Sequence, residues 1–240
     1  MTHIVRSYDA ELGGLRKMIS DMGEIAENML ASAIEAVVKR DVDLAQDVIR
    51  SDKKLDALQH QVEERAVLMI ARRQPMAVDL RETIATIRIS GDLERIGDLA
   101  KNLGKRTIVI KDHLEHQDVV LNIQSMSNLA LGQLRDVLSA YVQQDLDLAL
   151  DVWRRDDAID ALNTSVFREL LTYMMEDPRS ITFCTHMMFC SKNIERIGDH
   201  TTNIAETIYY RETGEILLDD RPKVDSTSIS GIPRDNASSS

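Results

Sequence analysis

The chain has 240 residues, with 29 Lys+Arg against 40 Asp+Glu, a formal charge of −11, and 43% hydrophobic residues. That content builds a substantial core in one large domain or two small ones, while so acidic a chain repels polyphosphate backbones and excludes nucleic acid as an expected partner. Aromatic residues at 4%, with 10 Gly and 4 Pro, are too few for a β-rich fold; two Cys, a polar Met1–Ala10 stretch and no long apolar run point to a cytoplasmic protein.

The apolar spacing is helical from the start. Leu15, Met18, Met22, Ile25, Met29, Ala33 and Ala36 follow one another in steps of three and four, which predicts a first helix from about Asp9 to Arg40. Asp43 with Gln46 three residues later reads as a capping box for a second helix, which Gln74-Pro75 ends near Arg73. A third helix is predicted over about Val78 to Lys111. Helices of this length, roughly 45 Å at about 1.5 Å per residue, pack along one another in bundles.

The pattern then repeats. Residues 41–58 align without gaps on 145–162, with 11 of 18 positions identical, and 92–103 align on 193–204, with Glu-Arg-Ile-Gly-Asp in both copies. The offsets are 104 and 101, so the second copy is a few residues shorter between the two blocks. The expected fold is all-α: a tandem repeat of two antiparallel three-helix bundles, six long helices in all. The predicted units are 1–116 and 117–218, followed by a Ser-rich tail, 219–240, that lacks an apolar face and is expected to be disordered. Long amphipathic units of this kind leave apolar edges, so a homodimer is expected.

Four acidic pairs share the spacing acid-x-x-x-Asp: Asp52/Asp56, Glu94/Asp98, Asp156/Asp160 and Glu195/Asp199. On a helix, positions i and i+4 lie on one face, where two carboxylates repel by a few tenths of a kcal/mol. Each repeat carries one pair on its second helix and one on its third, so four acids can converge on each bundle. At about 100° per residue, Asp98 lies about 40° and Asn102 about 80° from Glu94, while Ile89, Ile96 and Leu103 fall at about 180–220°. The acids therefore point away from the main apolar stripe. Asn203 recurs at the matching place and Glu206 returns near the Glu195 direction.

Clustered carboxylates with Asn carbonyls are hard ligands, suited to Mg²⁺, Mn²⁺, Ca²⁺ or iron; zinc accepts such oxygens but lacks its usual Cys and His here. The candidate metal ligands are Asp52, Asp56, Glu94, Asp98 and Asn102, and Asp156, Asp160, Glu195, Asp199 and Asn203. The competing reading is a solvated acidic face. No Glu precedes any His by three, so a ferritin-like di-iron site is excluded. His200, next to Asp199, could enter the second site but reads first as a surface or dipole-side residue, Cys184 and Cys190 as buried thiols, and Met174, Met175, Met187 and Met188 as bundle packing. Arg72, Arg73, Arg81 and Arg88 read as solvated or paired helix charges. No nucleophile with its base and no Gly-rich phosphate loop is found, so no catalytic activity is expected.

Two three-helix repeats with two acid-x-x-x-Asp pairs each resemble the PhoU family of phosphate-signalling regulators. The resemblance covers about residues 9–216 and is carried by Leu93–Asp98 with Asn102, Ile194–Asp199 with Asn203, and the Asp52/Asp56 and Asp156/Asp160 pairs. It implies a cytoplasmic, non-enzymatic protein, peripheral to the membrane, that restrains the phosphate-starvation response. The implied partners are a phosphate ABC transporter, at its ATPase subunit, and a membrane sensor histidine kinase. The implied cofactors are Mg, Mn, Fe or Zn ions at the acidic faces. The first helix also carries Asp21, Glu24 and Glu27, whose counterparts are Ser125, Asn128 and Leu131, so if first-helix acids complete a multinuclear site the second bundle has fewer of them. Two other functions compete with this one: a metal-free acidic scaffold for basic partner surfaces, and a carboxylate-bridged metalloenzyme.

Overall fold

The computed structural model describes residues 2–113 and 116–217, with side chains from Ala10 onward. Seven helices make six rods: α1 Thr2–Lys39, α2 Val42–Arg73, α3 Val78–Ile110, α4 Gln117–Gln143, α5 Leu146–Arg154 with α6 Asp157–Glu176, and α7 Ile181–Thr213. No strand occurs among the described residues. The predicted tail lies outside them.

The rods end where local chemistry stops them. Arg40 takes a left-handed backbone at φ 55, and Asp41, still extended, accepts the Leu44 N–H at 2.9 Å. Asp41 is thus the cap of α2, not the predicted Asp43, which already belongs to the first helical turn. The repeat reproduces the device: Gln144 is left-handed and Asp145 accepts the Leu148 N–H at 3.0 Å. Gln74 closes α2 in a left-handed conformation before Pro75, as predicted from the sequence.

The fifth rod departs from a straight helix. It breaks at Arg155, whose N–H bonds to the Val152 carbonyl at 3.2 Å in a tighter turn. Two residues of α4 contact the break. Gln133 is buried where the first repeat has the apolar Met29, and a buried amide needs a partner. Its Nε2 donates to the Arg155 carbonyl at 2.9 Å, and the Arg155 guanidinium reaches Asp136 at 2.7 Å.

α1–α3 form one antiparallel bundle and α4–α7 the other. α3 and α7 pack against each other in opposite directions: Arg88 lies over the Tyr210 ring, Asp92 meets His200, and Arg106 meets His186. α1 and α4 make a second seam, where Arg135 bonds Glu27 at 2.6 Å. One hydrophobic cluster runs through both repeats, with Ile19, Met22, Leu93 and Ile96 of the first and Leu134, Val166, Ile194 and Ile197 of the second all buried.

Within each bundle the Glu-Arg-Ile-Gly-Asp glycine lets two helices touch. A Cβ added at Gly97 would stand 2.3 Å from Leu55 Cδ2, and one at Gly198 would stand 3.0 Å from Ile159 Cδ1. Leu55 and Ile159 are themselves equivalent in the repeat and fully packed, so neither can swing aside. Gly97→Ala is therefore expected to cost about 1–3 kcal/mol in urea unfolding by overpacking. Gly91→Ala on the same helix, where nothing lies within 4 Å, is expected to be neutral or stabilising by about 0.5–1 kcal/mol. Equal effects at the two positions would refute the packing role.

Candidate metal centres

Leu55 lies between Asp52 and Asp56 as Gly97 lies between Glu94 and Asp98, so the Gly97 contact brings both acidic pairs to one seam. The Glu94 carboxyl fits this placement: burial first and then the charge of Asp98 raise its pKa, Arg95 pulls against them, and Asp56 and Asp52 add smaller upward pushes. Asp52 is only 5% exposed, and Asp56, Asp98 and Asn102 are half-buried. The acids do point away from the stripe of Ile96 and Leu103, but they are not a solvated face. The second helix closes over them.

Lys101 enters this seam. Its Nζ lies 2.5 Å from Asp52 Oδ2 and 2.5 Å from Asp98 Oδ1. Burial works against the ammonium, but the two hydrogen bonds and the two negative charges outweigh it and hold its pKa above the ordinary value. Arg95 touches Glu94 and Asp98 from the solvent side at 3.5 and 3.7 Å. Asp52 Oδ1 is buried without a hydrogen-bond partner among the described residues.

The second cluster is more deeply set. Asp156, Asp160 and Glu195 are all buried and Asp199 is half-buried. Thr202, which aligns with Lys101, donates its hydroxyl to Asp156 Oδ1 at 3.0 Å. Lys192 donates to Glu195 Oε1 at 2.8 Å.

Several flanking residues are placed otherwise than the sequence predicts. His200 is not a surface residue: its Nδ1 lies 2.9 Å from Asp92 Oδ1 of the first bundle. Asn203 turns its amide to the same oxygen at 3.4 Å. The reason is the α3–α7 seam, where Asp92 would otherwise be a shielded carboxylate without donors. Glu206 accepts the Trp153 indole N–H at 3.1 Å, and Glu27 is taken by Arg135. Met175 is 78% exposed at the end of α6, not packed, whereas Met187 is buried. Cys184 and Cys190 are buried and outside any disulfide, and burial pushes the Cys190 pKa up to about 12, which keeps it in the thiol form. Arg73 pairs with Glu11 and Arg88 covers Tyr210, consistent with paired helix charges.

Lys101 and Lys192 were open to sequence reasoning. Each stands three residues from an acid of its cluster, Asp98 and Glu195, the spacing at which opposite charges meet on a helix. That Lys101 also spans to α2 depends on the Gly97 contact and has no signature in the spacing.

The donor set is all oxygen, with one buried carboxylate oxygen left over, and this chemistry fits a hard cation. As packed, no three His, Cys, Asp or Glu side chains among the described residues are arranged to hold a metal ion. In the first cluster the intervening group is the Lys101 ammonium.

The PhoU domain matches residues 19–107 and again 123–208, one copy per bundle. The chain belongs to the PhoU family. It is 51% identical over 233 residues to the phosphate-specific transport system accessory protein PhoU homolog of Rhizobium meliloti (strain 1021), covering 97% of this chain and 98% of that one. It is 38% identical to phosphate-specific transport system accessory protein PhoU of Escherichia coli (strain K12), with 89% and 88% coverage. The crystal structure of PhoU from Pseudomonas aeruginosa superposes with a TM-score of 0.84 at 35% identity, over 87% of this chain and 100% of that one. Each matched segment contains both acid-x-x-x-Asp pairs of its repeat.

The raised Glu94 pKa has a consequence for stability. The folded protein holds this proton more tightly than the unfolded chain, so ionisation of Glu94 works against the fold as pH rises through the carboxylate range. Glu94→Gln is expected to stabilise the metal-free protein at pH 7 by roughly a few tenths of a kcal/mol, the scale of a like-charge helix pair. The gain should fade as pH falls below the ordinary glutamate range, where the carboxyl is protonated in the folded and the unfolded chain alike. Thermal unfolding with chelator at pH 7 and below that range checks this.

Proposed function

We propose that this chain is an accessory regulator of a phosphate-specific transport system that binds divalent or iron-type metal ions at its two acidic clusters. In this reading it works in the cytoplasm at the membrane face, as a homodimer. It couples the ATPase subunit of a phosphate ABC transporter to a sensor histidine kinase and restrains phosphate-starvation signalling. The observation that carries the reading is the 51% identity, over nearly the whole of both chains, to a protein named for that accessory role. The duplicated oxygen-rich clusters support the metal component. No helix among the described residues is long and apolar enough to cross a membrane, which agrees with a peripheral position.

A metal-free adaptor is the second reading, favoured by one observation: Lys101 already satisfies two acids of the first cluster. Metal analysis separates the two. Glu94→Ala with Asp98→Ala is expected to lower the bound metal per chain while helical content by circular dichroism stays largely intact. Unchanged metal content would remove the first cluster from the site.

The regulatory component is tested in cells. A phosphate-starvation reporter is expected to stay on in phosphate-rich medium when the gene is deleted, and to fall when the wild-type gene is restored. A reporter that remains low in the deletion strain would overturn the signalling role.

A further inference from the structure

The cation in the first cluster belongs to the protein itself. Lys101 Nζ touches an acid of α2 and an acid of α3 at the same distance, 2.5 Å, and the side chain is 19% exposed. Asp52 and Asp98 come together on one ammonium, with the charge of Asp98 also acting on Glu94, and gathering such carboxylates without a counter-charge costs free energy that grows as water is excluded. The ammonium supplies one positive charge where the two helices meet. It does not exhaust the cluster. Asp52 Oδ1 remains buried and unpartnered, and Glu94 carries a raised pKa amid the remaining negative charge.

We propose that Lys101 is a tethered counter-cation of the first cluster: it holds the seat between Asp52 and Asp98, and a divalent cation enters only by displacing it. This rests on the metal reading above and adds a residue outside the acid-x-x-x-Asp pairs. A lysine is suited to the task, being a compact point charge on a flexible stem that can leave without moving the helix. Its departure frees Asp52 Oδ2 and Asp98 Oδ1 together, beside the already unpartnered Asp52 Oδ1. Because it is covalently attached, its effective concentration at the seat does not fall with dilution. Every incoming cation must therefore break two charge-assisted hydrogen bonds.

The second repeat shows that the fold accepts another side chain here. Thr202 stands at the aligned position, fully buried, and contacts the aligned acid Asp156 through a neutral hydroxyl. The backbone and the acid are kept while the charge is not. Lys192, which touches Glu195 in the second cluster, aligns with Gly91, so its cation comes from another turn of the helix and is half-exposed at the rim.

The test uses the full-length protein and two variants, Lys101→Met, which keeps the stem, and Lys101→Thr, which installs the side chain of the second repeat. Each is stripped with chelator and titrated with Mn²⁺ by calorimetry, and melted with chelator or with Mn²⁺. Both variants are expected to bind Mn²⁺ at the first cluster at least about tenfold more tightly than wild type, since a repelling charge is gone. Their melting temperatures are expected to fall below wild type in chelator and to recover with Mn²⁺. Adding Glu94→Ala and Asp98→Ala should abolish the tighter binding. If wild type binds Mn²⁺ and neither variant binds it more tightly, the tethered counter-cation is refuted and the metal reading stands. If no protein takes up Mn²⁺, both fall. If both variants lose their melting transition and Mn²⁺ does not restore it, Lys101 is a structural anchor and the proposal is wrong.

Discussion

Carboxylates pressed into the seam between two helices must be compensated, and much of the local structure follows from how that is done. Gly97 and Gly198 permit the approach, since any side chain there would strike Leu55 or Ile159. The approach puts acid-x-x-x-Asp pairs from two helices side by side. Water can no longer screen them fully, as the raised Glu94 pKa shows. Cations and hydroxyls then fill the space between: Lys101 across the first seam, Thr202 and Lys192 in the second. The tightest packing in each bundle thus serves its least favourable electrostatics. A core built for stability alone would have no reason to set buried acids beside it.

The two halves solve this common problem with different side chains because they are no longer equivalent in their surroundings. α3 and α7 run antiparallel against each other, and each presents one flank to its own bundle and the other to its partner. On the α7 flank, His200 and Asn203 are spent on Asp92, so the residues after the second Glu-Arg-Ile-Gly-Asp answer to the first bundle. On α4, the exchange of Met29 for Gln133 alters the second bundle more deeply. An amide in an apolar interior takes the nearest available carbonyl, and that carbonyl, on Arg155, is one residue before Asp156. The helix break therefore falls at the edge of the acidic cluster. The buried Gln133 amide thus meets the fifth rod at the point where it divides into two helices.

The internal duplication made the fold legible. Apolar steps of three and four defined the rods, and two gap-free alignments exposed the tandem repeat with its four acidic pairs. What stayed hidden depended on contacts between rods. Asp41 and Asp43 are both acceptable caps by residue type, and only the left-handed Arg40 decides that the chain is still extended at Asp41. His200 looked solvent-facing because a helical wheel locates the apolar stripe of one bundle and is blind to a second bundle laid against the other flank. The same blindness made the acids look exposed. Angles on α3 place Glu94 and Asp98 opposite Ile96 correctly, yet α2 covers that side as well. Helix spacing likewise carries no sign that Glu27 of α1 meets Arg135 of α4, a contact between the two repeats.

The chemistry of the clusters also bounds what they can recognise. Carboxylate oxygens discriminate poorly among hard divalent ions, and selectivity then comes from cavity size, ligand number and competing charge. Ligand number is nearly the same in the two repeats, since the acidic pairs are duplicated position for position. Helix approach beside each cluster depends on Gly97 and Gly198, which are also duplicated, although the contact at Gly97 is the tighter of the two. Competing charge is where the halves differ most, because an ammonium at position 101 faces a hydroxyl at the aligned position 202. The duplicated motif thus fixes where negative charge is concentrated, and the unduplicated residues beside it set how much of that charge the protein itself compensates.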